Sequence, residues 1–492
     1  MTFEGLLYVG LEVTPRSFVV GLVLVLALIL GLIWTLTNFY QFYPLVQSFI
    51  ESLDALNSST HAGHRPEDFV RSGRLPRIDI LLPAYNEGNV IDQAIRSIRT
   101  AEYPTERLSI HVLLEPGDGS TLETLMDLKD EFQFQIHFIP ERYPGEPNKP
   151  RALNYGFSKT HGDIVGVIDA EDIVDQGLFN EVGETYRRER WDFALAHLDM
   201  ANEDDGWLNL LFRAEYGFWY NLVVPAFARV GYPIPLGGTT CFFRRSVLEE
   251  ISDVRESLYG SVVTGQQRAY LKKHNIPAIF PWDHHNVTED FELGLVLWDQ
   301  GYEFTYLESV TREESPLSLN GWLDQRTRWN KGKIFTFLQF LREPPARPSH
   351  RAHLYWQSVL PHLGPVNILG IGVIFWFATL IRVLPGTFVK GLLSLGLAFA
   401  LLTTGLYVIG YWSVSDRPVT IRTRRAAVVG LTAIFYWLLQ WIADLRALVK
   451  TYSGQLDWEP TEHLGRHFET AQLSAGELIQ RPAKQADYAT RE

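Results

Sequence analysis

"IDILLPAYNEGNVIDQAIRSIRT" (residues 78–100) changes its hydrophobic period partway along, and that change sets the fold. "IDILLP" is a short apolar run ended by proline, the composition of a buried strand. In "AYNEGNVIDQAIRSIRT" the residues Val90, Ile91, Ala94, Ile95 and Ile98 recur at helical spacing. The alternation continues outward from there. "SIHVLLE" (109–115) reads as a strand, "TLETLMDLKDEF" (121–132) as a helix and "FQIHFIP" (134–140) as a strand. "RALNYGFSKTH" (151–161) reads as a helix, and "DIVGVIDAED" (163–172) as a buried strand ending in acids. Buried strands alternating with helices predict an α/β, Rossmann-like unit, a mostly parallel sheet with helices on both faces. Ligands of such sheets bind beyond the carboxyl ends of the strands. Those ends are "PAYNE" (83–87), "EPGDGS" (115–120) and "DAED" (169–172), where polar residues concentrate.

The chain has 492 residues, and its 46% apolar content is unevenly spread. Residues 17–40 carry no charge, over a length that suffices to cross a bilayer, roughly 20 residues. The segment lacks the basic start, short apolar centre and small-residue cleavage site of a secretory signal, so it reads as a retained anchor. Further apolar runs near 356–383, 390–412 and 425–444 predict an α-helical multi-pass membrane domain. Between 41 and 353 the composition is that of a soluble domain, entered through a polar linker at 57–76. "SDRPVTIRTRR" (415–425) carries four arginines, which places that loop, and by counting spans the large domain, in the cytoplasm. The tail after Leu445 then falls outside, unless the last apolar segment re-enters; Asp444 and Arg446 at its end leave both readings open. A net charge of −13 argues against a nucleic-acid partner. Cys241 is the only cysteine, which rules out an intrachain disulfide and a cysteine-based metal cluster.

Several motifs have both a chemical and a bland reading. Asp169 and Glu171 of "DAED" can reach a hard divalent cation that also touches a diphosphate, or simply close a strand. In "NVTEDFELG" (286–294), Asn286 with Glu289 fits a helix cap, and Glu289 and Asp290 suit a first helical turn; a carboxylate there can equally serve as a base. Lys149 and Arg151 of "NKPRALNYG" (148–156) precede a helix, a natural place for phosphate oxygens or for solvated charge. "PLGGTTCFFRR" (235–245) has two glycines that admit a ligand or make a turn. The adjacent His284 and His285 read as structural rather than as a metal pair.

Taken in order, "PAYNE", "EPGDGST", "KPRALNYG", "DAED", "GGTTCFFRR", "TED" and "QRTRW" (325–329), followed by apolar spans, resemble the membrane-embedded family 2 glycosyltransferases with a GT-A domain. Within that family the resemblance is specifically to the inverting synthases related to cellulose, hyaluronan and chitin synthases. It covers about residues 76–345, and "DWEPTEH" (457–463) is loosely similar to a motif ending some bacterial members. It implies that Ala84, Tyr85 and Glu87 line a nucleoside pocket, and that Asp169 and Glu171 hold Mg²⁺ or Mn²⁺ with the donor diphosphate. It implies that Asp290 is the general base, that Lys149, Gln325 and Arg328 serve the donor, and that Gly238, Thr239, Glu289 and Trp329 face the acceptor. The family's strand-end aspartates appear here as "EPGDGST", so either Glu115 or Asp118 meets the base ring. Asn148 stands where relatives often have histidine or glycine, and an insertion at 252–281 reads as a flap near the acceptor entrance or as a surface excursion.

The resulting division is an N-terminal segment (1–16), a span (17–40), an interfacial helix and linker (41–76) and a GT-A domain (77–320). An interfacial helix (321–345), about three spans (356–449) and a tail (450–492) follow. The implied activity is inverting transfer of a sugar from a nucleotide sugar, a UDP-sugar by expectation, to a glycan acceptor at the cell membrane, with polysaccharide synthesis and secretion coupled. A single transfer to a lipid-linked or membrane acceptor is the alternative. A transporter or scaffold is more remote, because the apolar runs are nearly free of charge while the acids cluster between them.

Overall fold

A computed structural model of the chain describes residues 42–50, 74–259, 263–345, 347–359 and 386–454, with a few isolated positions before residue 41. The run 17–40 apart from those positions, the linker up to residue 73, the apolar run beyond residue 359 and the tail motif at 457–463 lie outside the described residues.

Eight strands form one sheet: β1 (Ile78–Ala84), β2 (Leu108–Leu114), β3 (Gln135–Phe138), β4 (Ile164–Val167), β5 (Ile173–Val174), β6 (Phe193–Met200), β7 (Cys241–Arg244) and β8 (Phe304–Glu313). Their order is β3-β2-β1-β4-β7-β6-β8-β5. The β1–β2, β1–β4, β2–β3 and β6–β8 ladders are parallel. Those of β4–β7, β6–β7 and β5–β8 are antiparallel. The sheet is therefore mixed, and its parallel half is the part whose strand-helix alternation the sequence displays. Antiparallel β7 breaks the pattern: helical residues 207–230 and a loop at 231–240 separate it from β6, a connection long enough to return the chain in either direction.

The helices are α1 (Ile91–Thr100), α2 (Gly119–Leu128), α3 (Lys149–Phe157), α4 (Leu178–Arg188), α5 (Trp207–Phe218), α6 (Val224–Val230), α7 (Arg245–Tyr259), α8 (Gly265–Lys273), α9 (Glu289–Gln300), α10 (Leu319–Arg342), α11 (Gly386–Val414) and α12 (Val419–Tyr452). β1 shows how the sheet divides the interior. Ile78, Ile80 and Leu82 join one core with Ile95 and Leu125, while Leu81 joins the other with Leu113, Phe157 and Phe193. Alternate side chains of a strand point to opposite faces, so a two-sided core needs an unbroken apolar run.

Three boundaries differ from the sequence expectation. α1 starts at Ile91 rather than near Ala84, because Asn86 has a left-handed φ of 61°, which leaves residues 85–90 as a loop. α3 starts at Lys149, with the Asn148 side chain accepting from the Arg151 N–H at 3.0 Å, so Arg151 lies inside the helix and not before it. The 252–281 insertion is no flap at the cavity described below: its described residues fold as the end of α7 and as α8, behind α9. Arg255 there is buried and pairs through both nitrogens with Glu292 of α9, at 2.9 Å from Nη1 to Oε1. Its Nε donates to the Pro281 carbonyl at 2.7 Å.

α5 runs through a π-helical turn (Trp219–Val223) into α6, and the end of α11 packs against it. Phe218 and Tyr407 stack with ring centroids 5.5 Å apart, and Arg213 donates to the Val414 carbonyl at 2.9 Å. Among the described residues one helix, α12, is long and apolar enough to cross a membrane by length and composition.

Candidate active site

A cavity of about 480 Å³ opens beyond the carboxyl ends of β1, β2 and β4, where the sheet rule places a ligand. β1 delivers Ala84, Tyr85 and Glu87, β2 delivers Glu115, the turn after β4 delivers Asp169 and Glu171, and the start of α3 delivers Lys149. Gly238, Glu289, Asp290, Gln325, Arg328 and Trp329 close the other side. Thirteen of the fifteen residues expected at the site thus line one cavity, although they are spread over residues 84–329.

The two exceptions have structural work. Asp118 caps α2, accepting from the Thr121 N–H at 3.2 Å, and also accepts from the Asn86 N–H at 2.8 Å, which holds the left-handed residue of the β1 loop. Of the two candidates for the base ring, then, only Glu115 reaches the cavity. Thr239 is buried and turns its hydroxyl to Asp172.

Asp172, the last residue of "DAED", is the part of that motif the sequence reading passed over. Its fully buried carboxylate accepts from the Asp169 N–H at 3.0 Å and from Thr239, whose oxygen also accepts from the Asp169 N–H at 3.1 Å. Burial, then the charges of Glu171 and Asp169, push its carboxyl well above the usual range. Asp172 positions the backbone of Asp169 and leaves Asp169 and Glu171 facing the cavity. The only available sequence signal was its place as the third acid in four residues.

Lys149 lies 2.7 Å from Asp169 Oδ2 and 2.8 Å from the Gly238 carbonyl. Burial works against its charge, but Asp169 and then Glu289 outweigh that and hold its pKa above the ordinary lysine value. Gly238 has φ +87°, and a Cβ there would stand 3.0 Å from Asp290 Oδ2 and 3.6 Å from Lys149 Nζ. Glycine at this position serves both the backbone turn and the closeness of those two charges.

α9 begins at Glu289, with Thr288 ahead of it, so Asn286 is not its cap. The Asn286 side-chain Oδ1 instead accepts from the Thr288 N–H at 3.0 Å, and its Nδ2 donates to the Thr336 hydroxyl of α10 at 2.9 Å. Gly332 of α10 sits so close that a Cβ there would meet Thr288 Oγ1 at 2.0 Å. α10 is thereby pressed directly against the "TED" turn. Burial raises the carboxyls of both acids in that turn, and for Glu289 the neighbouring Asp290 adds to it, giving about 7.

Gln325, Arg328 and Trp329 share one face of α10, as residues three and four apart must. Burial lowers the Arg328 pKa, while Glu289, Asp290, Asp169 and Glu171 act to keep it charged. Arg326, between them in sequence, faces the other way. It donates to both oxygens of Glu215 on α5, at 2.9 and 2.5 Å, and to the Tyr436 hydroxyl of α12 at 3.2 Å. Its guanidinium lies 4.5 Å from the Phe212 ring centroid and 4.6 Å from that of Trp329. One arginine of "QRTRW" therefore joins helices, and the other faces the cavity.

Glu115 is held by the buried Arg151 at 2.5 and 2.6 Å. The remaining Arg151 nitrogens donate to the Pro140 and Tyr143 carbonyls at 2.8 and 3.3 Å. Arg151 thus positions Glu115 and does not line the cavity itself. His284 is buried, its backbone carbonyl accepts from Asn148 at 2.9 Å, and burial lowers its ring pKa to about 4. Glu313, at the end of β8, and Tyr216 also line the cavity. Sequence reasoning missed both, although a strand ending in an acid was the same signal that "DAED" gave.

Two carboxylates on one cavity wall form a hard-oxygen donor set of the kind Mg²⁺ and Mn²⁺ accept, since such ions often take only one or two protein ligands beside substrate phosphates. No cluster of three potential metal-ligating side chains occurs among the described residues. Lys149 Nζ, 2.5 Å from Asp169 Oδ1, already places one positive charge against this carboxylate.

Residues 76–332, just over half of the chain, match the family described as glycosyltransferase like family 2, and the chain belongs to that family. It is 25% identical over 280 residues to a probable glycosyltransferase, YdaM, of Bacillus subtilis (strain 168), a match covering 55% of this chain and 58% of that protein. It is 24% identical over 310 residues to an N-acetylglucosaminyltransferase of Rhizobium sp. (strain N33), covering 63% of each. The chain thus spans less than two thirds of these relatives. The fold is similar to that of mannosyltransferase PcManGT from Pyrobaculum calidifontis, solved with GDP-Man and Mn²⁺. The TM-score is 0.52 at 16% identity, covering 86% of this chain and 98% of that one.

Proposed function

We propose that the protein is an inverting, metal-dependent glycosyltransferase that moves a sugar from a nucleotide sugar, a UDP-sugar in our reading, to a growing glycan at the membrane, with the catalytic domain cytoplasmic and the product passed across. The observation that carries this is the single cavity in which Asp290 faces the same space as Asp169, Glu171, Lys149 and Arg328. Asp169 and Glu171 would hold Mg²⁺ or Mn²⁺, whose chemistry there is to neutralise the departing diphosphate. Lys149 and Arg328 add fixed positive charge to the same leaving group. Asp290 takes the proton from the acceptor hydroxyl as its oxygen bonds to the anomeric carbon. The bond from that carbon to the phosphate oxygen breaks with its electron pair leaving on the nucleoside diphosphate. One base and direct displacement invert the anomeric centre. Glu115, Tyr85 and Glu87 lie at the β1 and β2 ends, where the nucleoside would sit, and Trp329 offers a flat apolar face to an acceptor sugar.

The membrane reading draws on the apolar rows that α11 and α12 leave exposed, among them Leu397, Leu401, Leu431 and Phe435. The test is donor turnover by detergent-purified protein over a panel of sugar nucleotides, with product length measured. Long products with one donor support polymer synthesis. Single additions to a lipid-linked acceptor move the assignment to the one-step alternative, and no turnover with any donor overturns the proposal.

A further inference from the structure

We propose that α12, apolar and long enough to cross a bilayer, lies instead along the membrane surface, fixed to the catalytic domain at both ends with its outer face in lipid; this rests on the membrane reading above. Near its start, Arg425 pairs with Asp204 in the loop after β6 and lies 2.7 Å from Glu203. Near its end, Arg446 lies 2.6 Å from Asp324 of α10. Asp324 is one turn from Arg328, which lines the catalytic cavity. Both partners of α12 therefore belong to the catalytic side. Twenty-one residues of helix separate the two arginines, which is about 32 Å, as much as the ~30 Å hydrocarbon core of a bilayer. An upright α12 would put Asp204 and Asp324 at opposite membrane surfaces, which one folded domain does not allow.

The middle of the helix agrees with its ends. The Tyr436 hydroxyl and the Gln440 amide both donate to Glu215 of α5, at 2.6 and 3.1 Å. Ala426, Val429, Ala433, Tyr436, Ala443 and Ala447 form one buried stripe over the whole length. Leu431, Ile434, Phe435, Leu438, Ile442 and Val449 form the opposite stripe and are exposed, Leu431 by 78%. A helix that buries one side on protein and offers a purely apolar side outward, between basic ends such as Arg424 and Lys450, matches a surface of acyl chains edged by anionic headgroups. α11 behaves differently. Tyr407 and Tyr411 near its end are buried against the protein, whereas Leu397, Leu401 and Leu402 before them are exposed, so it leads away from the domain that α12 follows.

Cys241 is buried and is the only cysteine, so single reporters can be read against a low background. Thr387→Cys marks the start of α11, Asp416→Cys the loop between α11 and α12, and Ser453→Cys the residue after α12. Each is treated with a membrane-impermeant maleimide in spheroplasts and in inverted vesicles, with the unsubstituted protein as the blank. We expect Asp416→Cys and Ser453→Cys to label in inverted vesicles only, and Thr387→Cys in spheroplasts only. Labelling of Ser453→Cys from the same side as Thr387→Cys overturns the surface helix and leaves the membrane reading intact. Labelling of Thr387→Cys and Asp416→Cys from one side removes the membrane reading, and this inference with it.

Discussion

Asp290 and Glu289 sit side by side in a buried turn, and their chemistry separates by substitution. Asp290→Asn should leave donor binding in place and lower transfer by roughly 100-fold or more, because the amide cannot take the acceptor's proton. Transfer kinetics beside donor titration will show whether the loss lies in turnover. A base must be ionised to act, so activity falls as pH drops through its folded-state pKa. Burial, then the neighbouring Asp290 charge, raise the Glu289 carboxyl to about 7. Repulsion between neighbours is mutual, so Glu289→Gln should ease ionisation of Asp290 and move the acid limb of the pH–rate profile to lower pH. An unshifted limb would show that burial alone sets the base. Arg328 gives the third test at this scale. If it grips two diphosphate oxygens through its planar fork, Arg328→Lys keeps the charge yet lowers turnover severely, while expression and membrane insertion stay as in the parent. Equal turnover in the two proteins would return Arg328 to the interfacial role its place in the sequence also permits.

Elements meet at this site through pairs that join distant segments. α7, whose end lies in the 252–281 insertion, reaches α9 through Arg255 and Glu292, both almost wholly buried. Gln339 of α10 donates to the same Glu292 at 3.0 Å, so three helices converge behind the catalytic turn. Removing one partner leaves an uncompensated buried charge, which typically costs about 3–5 kcal/mol. Arg255→Leu should therefore lower the urea midpoint of the detergent-solubilised protein sharply. The double variant Arg255→Leu/Glu292→Leu should recover most of that loss, since two packed apolar side chains replace a buried pair at little net cost. If the double variant is as unstable as the single one, shape and not charge governs the contact.

At the scale of the whole molecule, the apolar helices and the sheet domain are tied by a charge cluster. Glu203, buried, meets Arg213 of α5 at 2.7 Å, Arg417 of the loop before α12 at 2.9 Å and Arg425 of α12 at 2.7 Å. Glu203→Gln would leave three arginines crowded with less negative charge between them, so thermal unfolding should begin at lower temperature. Donor affinity should stay unchanged, since Glu203 is not among the residues lining the cavity. Parallel fluorescence unfolding and donor titration check both halves of that statement.

The strand-helix alternation from Ile78 to Asp172 was legible because a buried parallel strand needs an apolar run and a covering helix needs its 3.6-residue stripe; both are local patterns. Thirteen of the fifteen expected site residues reached one cavity for a related reason, since polar residues beyond strand ends have few other uses in such a sheet. Asp118 and Thr239 looked equally chemical in sequence. Only tertiary contact decided that one caps α2 and the other braces Asp172, because capping and ligand binding ask for the same residue types. The direction of β7, the inward turn of Arg326 and the pairing of Arg255 with Glu292 were likewise beyond the sequence. Each depends on a partner from 37 to more than 100 residues away, or on a strand neighbour that no local period encodes. The course of α12 is of the same kind. Hydropathy measures how apolar a helix is, and the ion pairs at its two ends, made by residues far off in the chain, decide which way it lies.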